Sequence, residues 1–157
     1  MTREHHTTGL IGAGIAGSLS PALHEREAAQ LGLDYDYRLL DGVDVGPLLA
    51  AARAGGFTGV NVTHPCKQRV VEHLDALSPD AETLQAVNTV VFDGDRMIGH
   101  NTDCSGFAAG FERGLPGARL DDVVLLGAGG AGAAVAQALL NLGAKRLTIV
   151  DLSLIHI

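Results

Sequence analysis

Apolar positions in this chain come in short runs closed by glycine, proline or polar clusters, and the runs alternate between two periods. Leu10-Ile11 closes a first apolar run, Tyr35-Asp36-Tyr37-Arg38-Leu39-Leu40 is strand-like, and Gly59-Val60-Asn61-Val62-Thr63 carries polar groups at its C-terminal end. These patterns predict strands. Between them, Ser20 is a good N-cap for a helix that opens at Pro21 and stops at Gly32, and residues 45–54 are helical up to Gly55-Gly56. Pro65 predicts a further helix running to Leu74 or Asp75, with Lys67 in its first turn, and Ser78-Pro79 opens a short one. Residues 87–92 and 96–99 flank Asp93-Gly94-Asp95, a hairpin signal. Residues 105–113 read as a helix closed by Gly114-Leu115-Pro116. Then come a buried strand (Val123-Val124-Leu125-Leu126), a helix over 133–142 stopped by Gly143, and a strand (Leu147-Thr148-Ile149-Val150) ending at Asp151. This alternation predicts an α/β fold with ligands beyond the carboxyl ends of its strands.

Two stretches fit the dinucleotide fingerprint G-x-G-x-x-G. They are Gly12-Ala13-Gly14-Ile15-Ala16-Gly17 and Gly127-Ala128-Gly129-Gly130-Ala131-Gly132. The fingerprint works where a strand ends at the first glycine and a helix begins within the motif, so that helix N–H groups face a pyrophosphate. The second copy has that context, and Asp151 follows Gly127 by 24 positions (151 − 127), near the spacing at which an acid meets the ribose hydroxyls. Gly127, Ala128, Gly129, Gly130, Ala131, Gly132 and Asp151 are therefore the expected cofactor residues. After the first copy the helix waits for Pro21. Its glycines belong to a loop suited to a small ligand, not a nucleotide.

Composition narrows the class. At 157 residues and 46% hydrophobic content the chain can bury a core, and 4% aromatic content means that core is aliphatic. A formal charge of −7 argues against nucleic acid or an anionic membrane as partner. Residues 123–144 carry no charge and are long enough to span a bilayer, but they split into strand, glycine cluster and helix. Two cysteines, Cys66 and Cys104, make no disulfide scaffold, and no secretory signal precedes the first strand, so a reducing cytoplasm is expected. His64, Cys66, His100 and Cys104 lie near one another in sequence, but H-x-C and H-x-x-x-C are not zinc spacings, and no metal is expected. His5-His6 reads as a solvated terminus. A homodimer is compatible with the sequence.

Polar residues gather at the strand ends: Asn61, Thr63 and Lys67 after one, His100-Asn101-Thr102-Asp103 after another. A lysine in a first helical turn opposes the helix dipole, which hints at function. Asp103 or Thr102 could serve as a helix N-cap.

Five ordered blocks carry a family resemblance: Ser18-x-Ser20-Pro21, Asn61-Val62-Thr63-x-Pro65-x-Lys67, Ala86-Val87-Asn88-Thr89, Gly99-x-Asn101-Thr102-Asp103 and the glycine string 127–132. Their order and spacing resemble the shikimate dehydrogenase family over nearly the whole chain from Gly12. The resemblance implies an α/β substrate-binding and catalytic domain (1–105), followed by the start of a Rossmann-type NAD(P)-binding domain (106–157). It implies reversible oxidation of the shikimate C3 hydroxyl to 3-dehydroshikimate, with hydride passing to a nicotinamide. Ser18 and Ser20 would hold the substrate carboxylate. Asn61, Thr63, Asn88 and Asp103 would orient the ring hydroxyls and the catalytic pair, and Lys67 would be the base in oxidation and the acid in reduction. Hydride leaves a carbinol carbon favourably only as its hydroxyl proton is taken, which is why a base must sit within hydrogen-bond reach. Burial disfavours a charged lysine while a neighbouring carboxylate favours it, so the pair Lys67 and Asp103 sets the balance.

The chain also departs from the family pattern. Gly14 and Gly17 stand where members often have proline and histidine. NADP-dependent members usually follow the second dinucleotide strand with an Asn-Arg-Thr segment, whereas Asp151-Leu152-Ser153 stands here. An aspartate accepts hydrogen bonds from ribose hydroxyls and repels a 2′-phosphate, which favours NAD over NADP. Quinate is a second candidate substrate. Family members continue well beyond this point, and Leu154-Ile155-His156-Ile157 does not resemble them, so a C-terminally truncated chain is expected. The rivals are a non-catalytic nucleotide-binding remnant and a related dehydrogenase such as one acting on folates, which would lack the Ser-x-Ser loop.

Overall fold

The computed structural model describes residues 5–152; Ser153 and residues 154–157, singled out above, lie outside them. The chain forms two compact units that divide between Asn101 and Thr102, a few residues ahead of the boundary at 105.

The first unit contains β1 (His5–Gly12), α1 (Ser20–Leu31), β2 (Asp34–Asp41), α2 (Val45–Ala54), β3 (Gly59–Val62), a 3-10 turn (Arg69–His73), β4 (Ala76–Leu77), α3 (Pro79–Leu84), β5 (Thr89–Asp93) and β6 (Arg96–His100). Its strands make one mixed sheet in the order β2-β1-β3-β5-β6-β4. β1 pairs in parallel with β2 and β3, whereas β5 runs antiparallel to β3 and β6. The hairpin turns at Gly94, whose φ of 57° suits glycine.

Register separates the two faces. Ile11 pairs with Val62 and Val60 with Val90, so these side chains share a face. There they join Val45, Leu49 and Ala52 of α2 and Val70 in one buried aliphatic core. The opposite face is divided in character. Over β1 and β2 it is apolar, with Leu10 and Tyr37 buried and Leu39 packed against them. Over β3 and β5 the same face carries Asn61, paired with Thr89. α1 lies against β2, where His24 stacks on Tyr37 with ring centroids 4.6 Å apart.

Several expectations need correction. No α-helix follows Pro65, and Lys67 is not in a first helical turn. The Lys67 carbonyl accepts the Val87 N–H at 2.8 Å, so it is turned toward another segment rather than along a helix axis. The chain beyond Lys67 instead takes the tighter 3-10 turn, with Val71 N–H donating to the Gln68 carbonyl at 3.3 Å. The helix-dipole argument for Lys67 therefore falls. α1 begins at Ser20 with Leu19 in the N-cap position, so Ser20 is not the cap. The two-residue β4 was not anticipated; its Ala76 pairs with Ile98. His5 is not a loose terminus but opens β1, its ring 3.1 Å from the Asp34 carboxylate.

The second unit contains α4 (Asp103–Gly114), β7 (Val123–Leu126), α5 (Gly130–Asn141) and β8 (Leu147–Val150). β7 and β8 pair in parallel, and α4 packs on α5. Thr102 takes the N-cap position of α4, which makes Asp103 its first residue. α5 starts within the glycine string, three residues before the expected 133.

Candidate active site

The two glycine loops are built alike up to the point where their helices begin. In each, a strand ends at the first glycine, and the acid that closes the next parallel strand accepts a backbone N–H from the loop. Gly14 donates to Asp41 Oδ1 at 2.9 Å; Ala128 donates to Asp151 Oδ2 at 2.5 Å. The helices then part company. α5 starts at Gly130, three residues after Gly127, whereas α1 starts at Ser20, eight after Gly12 (130 − 127 and 20 − 12). Only the second loop offers a helix N-terminus directly to a pyrophosphate.

Three of the four glycines in the second string have a visible use. Gly127 has a φ of 100°, which makes the tight turn. Gly129, the N-cap, would carry a Cβ into open space, so its backbone is approachable by a ligand. Gly132 packs so close over the turn that a Cβ there would collide with the Gly127 carbonyl oxygen. The residues thus fit a dinucleotide: 127–132 for the pyrophosphate and Asp151 for the ribose. In the first loop the tight position is Gly12, where a Cβ would run into the Thr63 methyl and come within 3.1 Å of the His64 carbonyl oxygen. Gly12 makes room for the Thr63 strand end rather than for phosphate.

The expected substrate residues of the first unit are joined by a line of hydrogen bonds. Ser18 Oγ donates to Ser20 Oγ at 3.1 Å, and the Ser20 N–H returns to Ser18 Oγ at 3.2 Å. The Ser20 hydroxyl lies beside the Tyr37 phenol and draws its pKa down. The Tyr37 O–H donates to Asn61 Oδ1 at 2.8 Å. Asn61 Nδ2 donates to Thr89 Oγ1 at 3.2 Å, and Thr89 Oγ1 donates to Asn88 Oδ1 at 2.9 Å. Ser18, Ser20, Asn61 and Asn88 are brought together by Tyr37 and Thr89, two residues to which sequence reasoning gave no role. Beside this line lies a pocket of about 290 Å³, lined among others by Thr8, His24, Asn61 and Thr89. A larger hollow of about 450 Å³ lies against α2 and the 3-10 turn and holds none of the expected residues. The chemistry, not the size, identifies the site.

Thr63 follows β3, its N–H donating to the Ile11 carbonyl at 2.9 Å. Lys67 is half-buried in the turn beyond it, between fully buried Cys66 and the exposed Gln68. Its partner in the expected catalytic pair, Asp103, belongs to the second unit. Cys66 Sγ faces the Gly42 carbonyl at 3.6 Å, and burial pushes its thiol above the ordinary value. Among the described residues no group of three or more His, Cys, Asp or Glu is placed to hold a metal ion, and no helix is long and apolar enough to cross a membrane.

Tyr37 also gives a pH prediction. Burial, chiefly, and then the neighbouring Tyr35 push its phenol up to about 12, against the Ser20 hydrogen bond, which lowers it. The folded chain keeps a proton that the unfolded chain releases near pH 10. Stability is therefore unaffected by this group below about pH 10. It falls between there and about pH 12, at up to roughly 1.4 kcal/mol per pH unit. Urea unfolding at stepped pH will show this slope, and Tyr37→Phe will flatten it; an unchanged slope in the variant would assign it to another group.

Comparison with known proteins places the chain. The profile of the shikimate dehydrogenase substrate binding domain matches residues 10–90. A shikimate dehydrogenase (NADP(+)) from Streptomyces avermitilis is 63% identical over 96% of this chain and 54% of its own length. Among solved structures, the quinate dehydrogenase from Corynebacterium glutamicum in complex with NAD is 48% identical with a TM-score of 0.90, over 94% of this chain and 55% of that one. The Thermus thermophilus shikimate 5-dehydrogenase in complex with NADP(H) and shikimate is 38% identical with a TM-score of 0.85, over 94% and 56%. The chain thus spans about half the length of the relatives it matches. Because the substrate-domain profile covers just over half of its 157 residues, the chain belongs to the shikimate dehydrogenase family.

Proposed function

We propose that this chain carries the substrate unit, and the opening of the dinucleotide unit, of an enzyme that reversibly oxidises the C3 hydroxyl of shikimate to 3-dehydroshikimate. The observation that carries this reading is the line of polar side chains from Ser18 to Asn88, hydrogen-bonded from Ser18 to Ser20 and from Tyr37 to Asn88. It places hydroxyl donors suited to a carboxylate at one end and carboxamides suited to ring hydroxyls at the other. A non-catalytic nucleotide-binding remnant would have no use for it.

In this reading Ser18 and Ser20 turn their hydroxyls to the substrate carboxylate. Asn61, Thr63, Asn88 and Asp103 set the ring hydroxyls. The Lys67 amine removes the C3 hydroxyl proton as the carbinol C–H bond breaks, and returns it in the reverse direction. A bound nicotinamide supplies the hydride acceptor. We favour NAD, because the Asp151 carboxylate, held at the glycine turn by the Ala128 N–H, suits free ribose hydroxyls and repels a 2′-phosphate.

Calorimetric titration of the chain with shikimate, quinate, NAD and NADP tests both parts. Shikimate will bind more tightly than quinate, and NAD at least about tenfold more tightly than NADP, a difference of about 1.4 kcal/mol. Asp151→Asn will narrow the NAD preference. Failure to bind either acid would sink the substrate assignment, and tighter binding of NADP would sink the choice of NAD.

A further inference from the structure

We propose that Tyr37 is a positioning residue of the substrate site, its phenol coupling the carboxylate-binding serines to the hydroxyl-binding asparagines. This rests on the functional reading above. Tyr37 belongs to β2 and Asn61 to β3, with β1 lying between them. Register explains how they meet. Tyr37 pairs with Thr8 of β1, and Leu10, two residues further on, pairs with Asn61. Side chains two apart on a strand share a face, so a long ring on β2 can reach diagonally over β1 to β3.

The polarity of the line fixes an otherwise ambiguous group. A carboxamide can turn over, exchanging its oxygen and nitrogen. Here the phenol O–H donates to Asn61 Oδ1, so the Asn61 NH2 must face Thr89 and the Asn88 carbonyl, 3.2 and 3.5 Å away. Thr89 then spends its proton on Asn88 Oδ1 at 2.9 Å. Reversing Asn61 would set its NH2 against the phenol and its oxygen against Thr89 and the Asn88 carbonyl, so the Tyr37 and Thr89 hydroxyls would have to reverse with it and two carbonyl oxygens would face each other. At the other end the same phenol holds Ser20, the first residue of α1. Tyr37 is 5% exposed and its ring is stacked on His24. Its position is therefore set by packing, and it can hold both polar neighbours in place. Burial keeps the phenol protonated well above neutral pH, so it stays a donor to Asn61.

The test has two arms. In the first, shikimate affinity is measured for the 157-residue chain and for Tyr37→Phe, Ser20→Ala and the double variant. Tyr37→Phe keeps the ring and its stack; near-ultraviolet circular dichroism checks that the fold is retained. It will weaken shikimate about tenfold, the effect of one lost neutral hydrogen bond. The double variant will be no more than about twofold worse than Ser20→Ala, because residues acting in one network do not add. Wild-type affinity for Tyr37→Phe, or effects that multiply, would overturn the coupling. A merely structural tyrosine would lower stability without producing this non-additivity.

The second arm needs no substrate. The Asn61 side-chain amide resonances will shift in Ser20→Ala, although Asn61 reaches Ser20 only through the Tyr37 phenol. Unmoved resonances would overturn the coupling even if shikimate binds. Resonances that move in a chain that does not bind shikimate would leave the physical link standing and sink the functional reading instead.

Discussion

Replacing Lys67 by alanine will lower the turnover number for shikimate oxidation by about a thousandfold, while KM changes by only a few-fold; positioned acid–base groups contribute roughly 10² to 10⁴. The measurement is nicotinamide reduction by a chain whose C-terminal half is supplied by the Streptomyces avermitilis relative. The asymmetry follows from where Lys67 stands. In the proposed function carboxylate binding falls to Ser18 and Ser20 and ring orientation to the asparagines, so ground-state affinity is expected to survive loss of the amine. The proton leaving the C3 hydroxyl then has no acceptor, and that loss is felt only in the transition state. The backbone has anchors of its own. Val87 bonds the Lys67 carbonyl at 2.8 Å, and buried Cys66 and Val70 anchor the turn on either side, so alanine leaves the fold in place. Small primary amines added to the variant will restore part of the rate in proportion to their concentration. Turnover within about tenfold of the parent would show that the proton goes elsewhere.

The parts of this chain that were legible in its sequence are those set by neighbouring residues. The glycine string 127–132, its following helix and Asp151 lie within one β-α-β unit, and Gly127 and Gly132 do jobs that only glycine can do cheaply. The hairpin at Gly94 and the helix stop at Gly32, with φ of 57° and 70°, are equally local. Lys67 misled, because a proline followed by helix formers cannot show that the Lys67 carbonyl will be claimed by Val87, twenty positions on (87 − 67). Tyr37 was invisible for the same reason. It reads as one more apolar position of an alternating strand, and its partner Asn61 is 24 residues away across an intervening strand. A strand of two residues such as β4 has no period to detect.

Gly132→Ala will weaken nucleotide binding by at least about a hundredfold, a loss of about 3 kcal/mol. Overlap with a flexible side chain could be relieved by a change of rotamer. Here both parties are backbone: a Cβ on Gly132 meets the Gly127 carbonyl oxygen and lies 2.9 Å from its carbon. Either α5 lifts away from the turn or the turn opens. Opening it breaks the bond from the Gly127 N–H to the Val150 carbonyl, at 2.8 Å, or the Ala128 bond to Asp151. Each escape displaces either the N–H groups meant for the pyrophosphate or the acid meant for the ribose. Gly129→Ala is the control. Its Cβ meets nothing within 4 Å, so the ligand-free fold accepts it, and any loss of affinity there reports ligand approach alone. Nucleotide titration with thermal unfolding separates the cases: Gly132→Ala will lose both affinity and stability, Gly129→Ala affinity without stability. If Gly132→Ala bound NAD within a few-fold of the parent, the second glycine string would not be the nucleotide site. Shikimate affinity of Gly132→Ala will change by no more than a few-fold, because every residue of the Ser18-to-Asn88 line belongs to the first unit and Asp103 alone among the proposed substrate residues lies in the second.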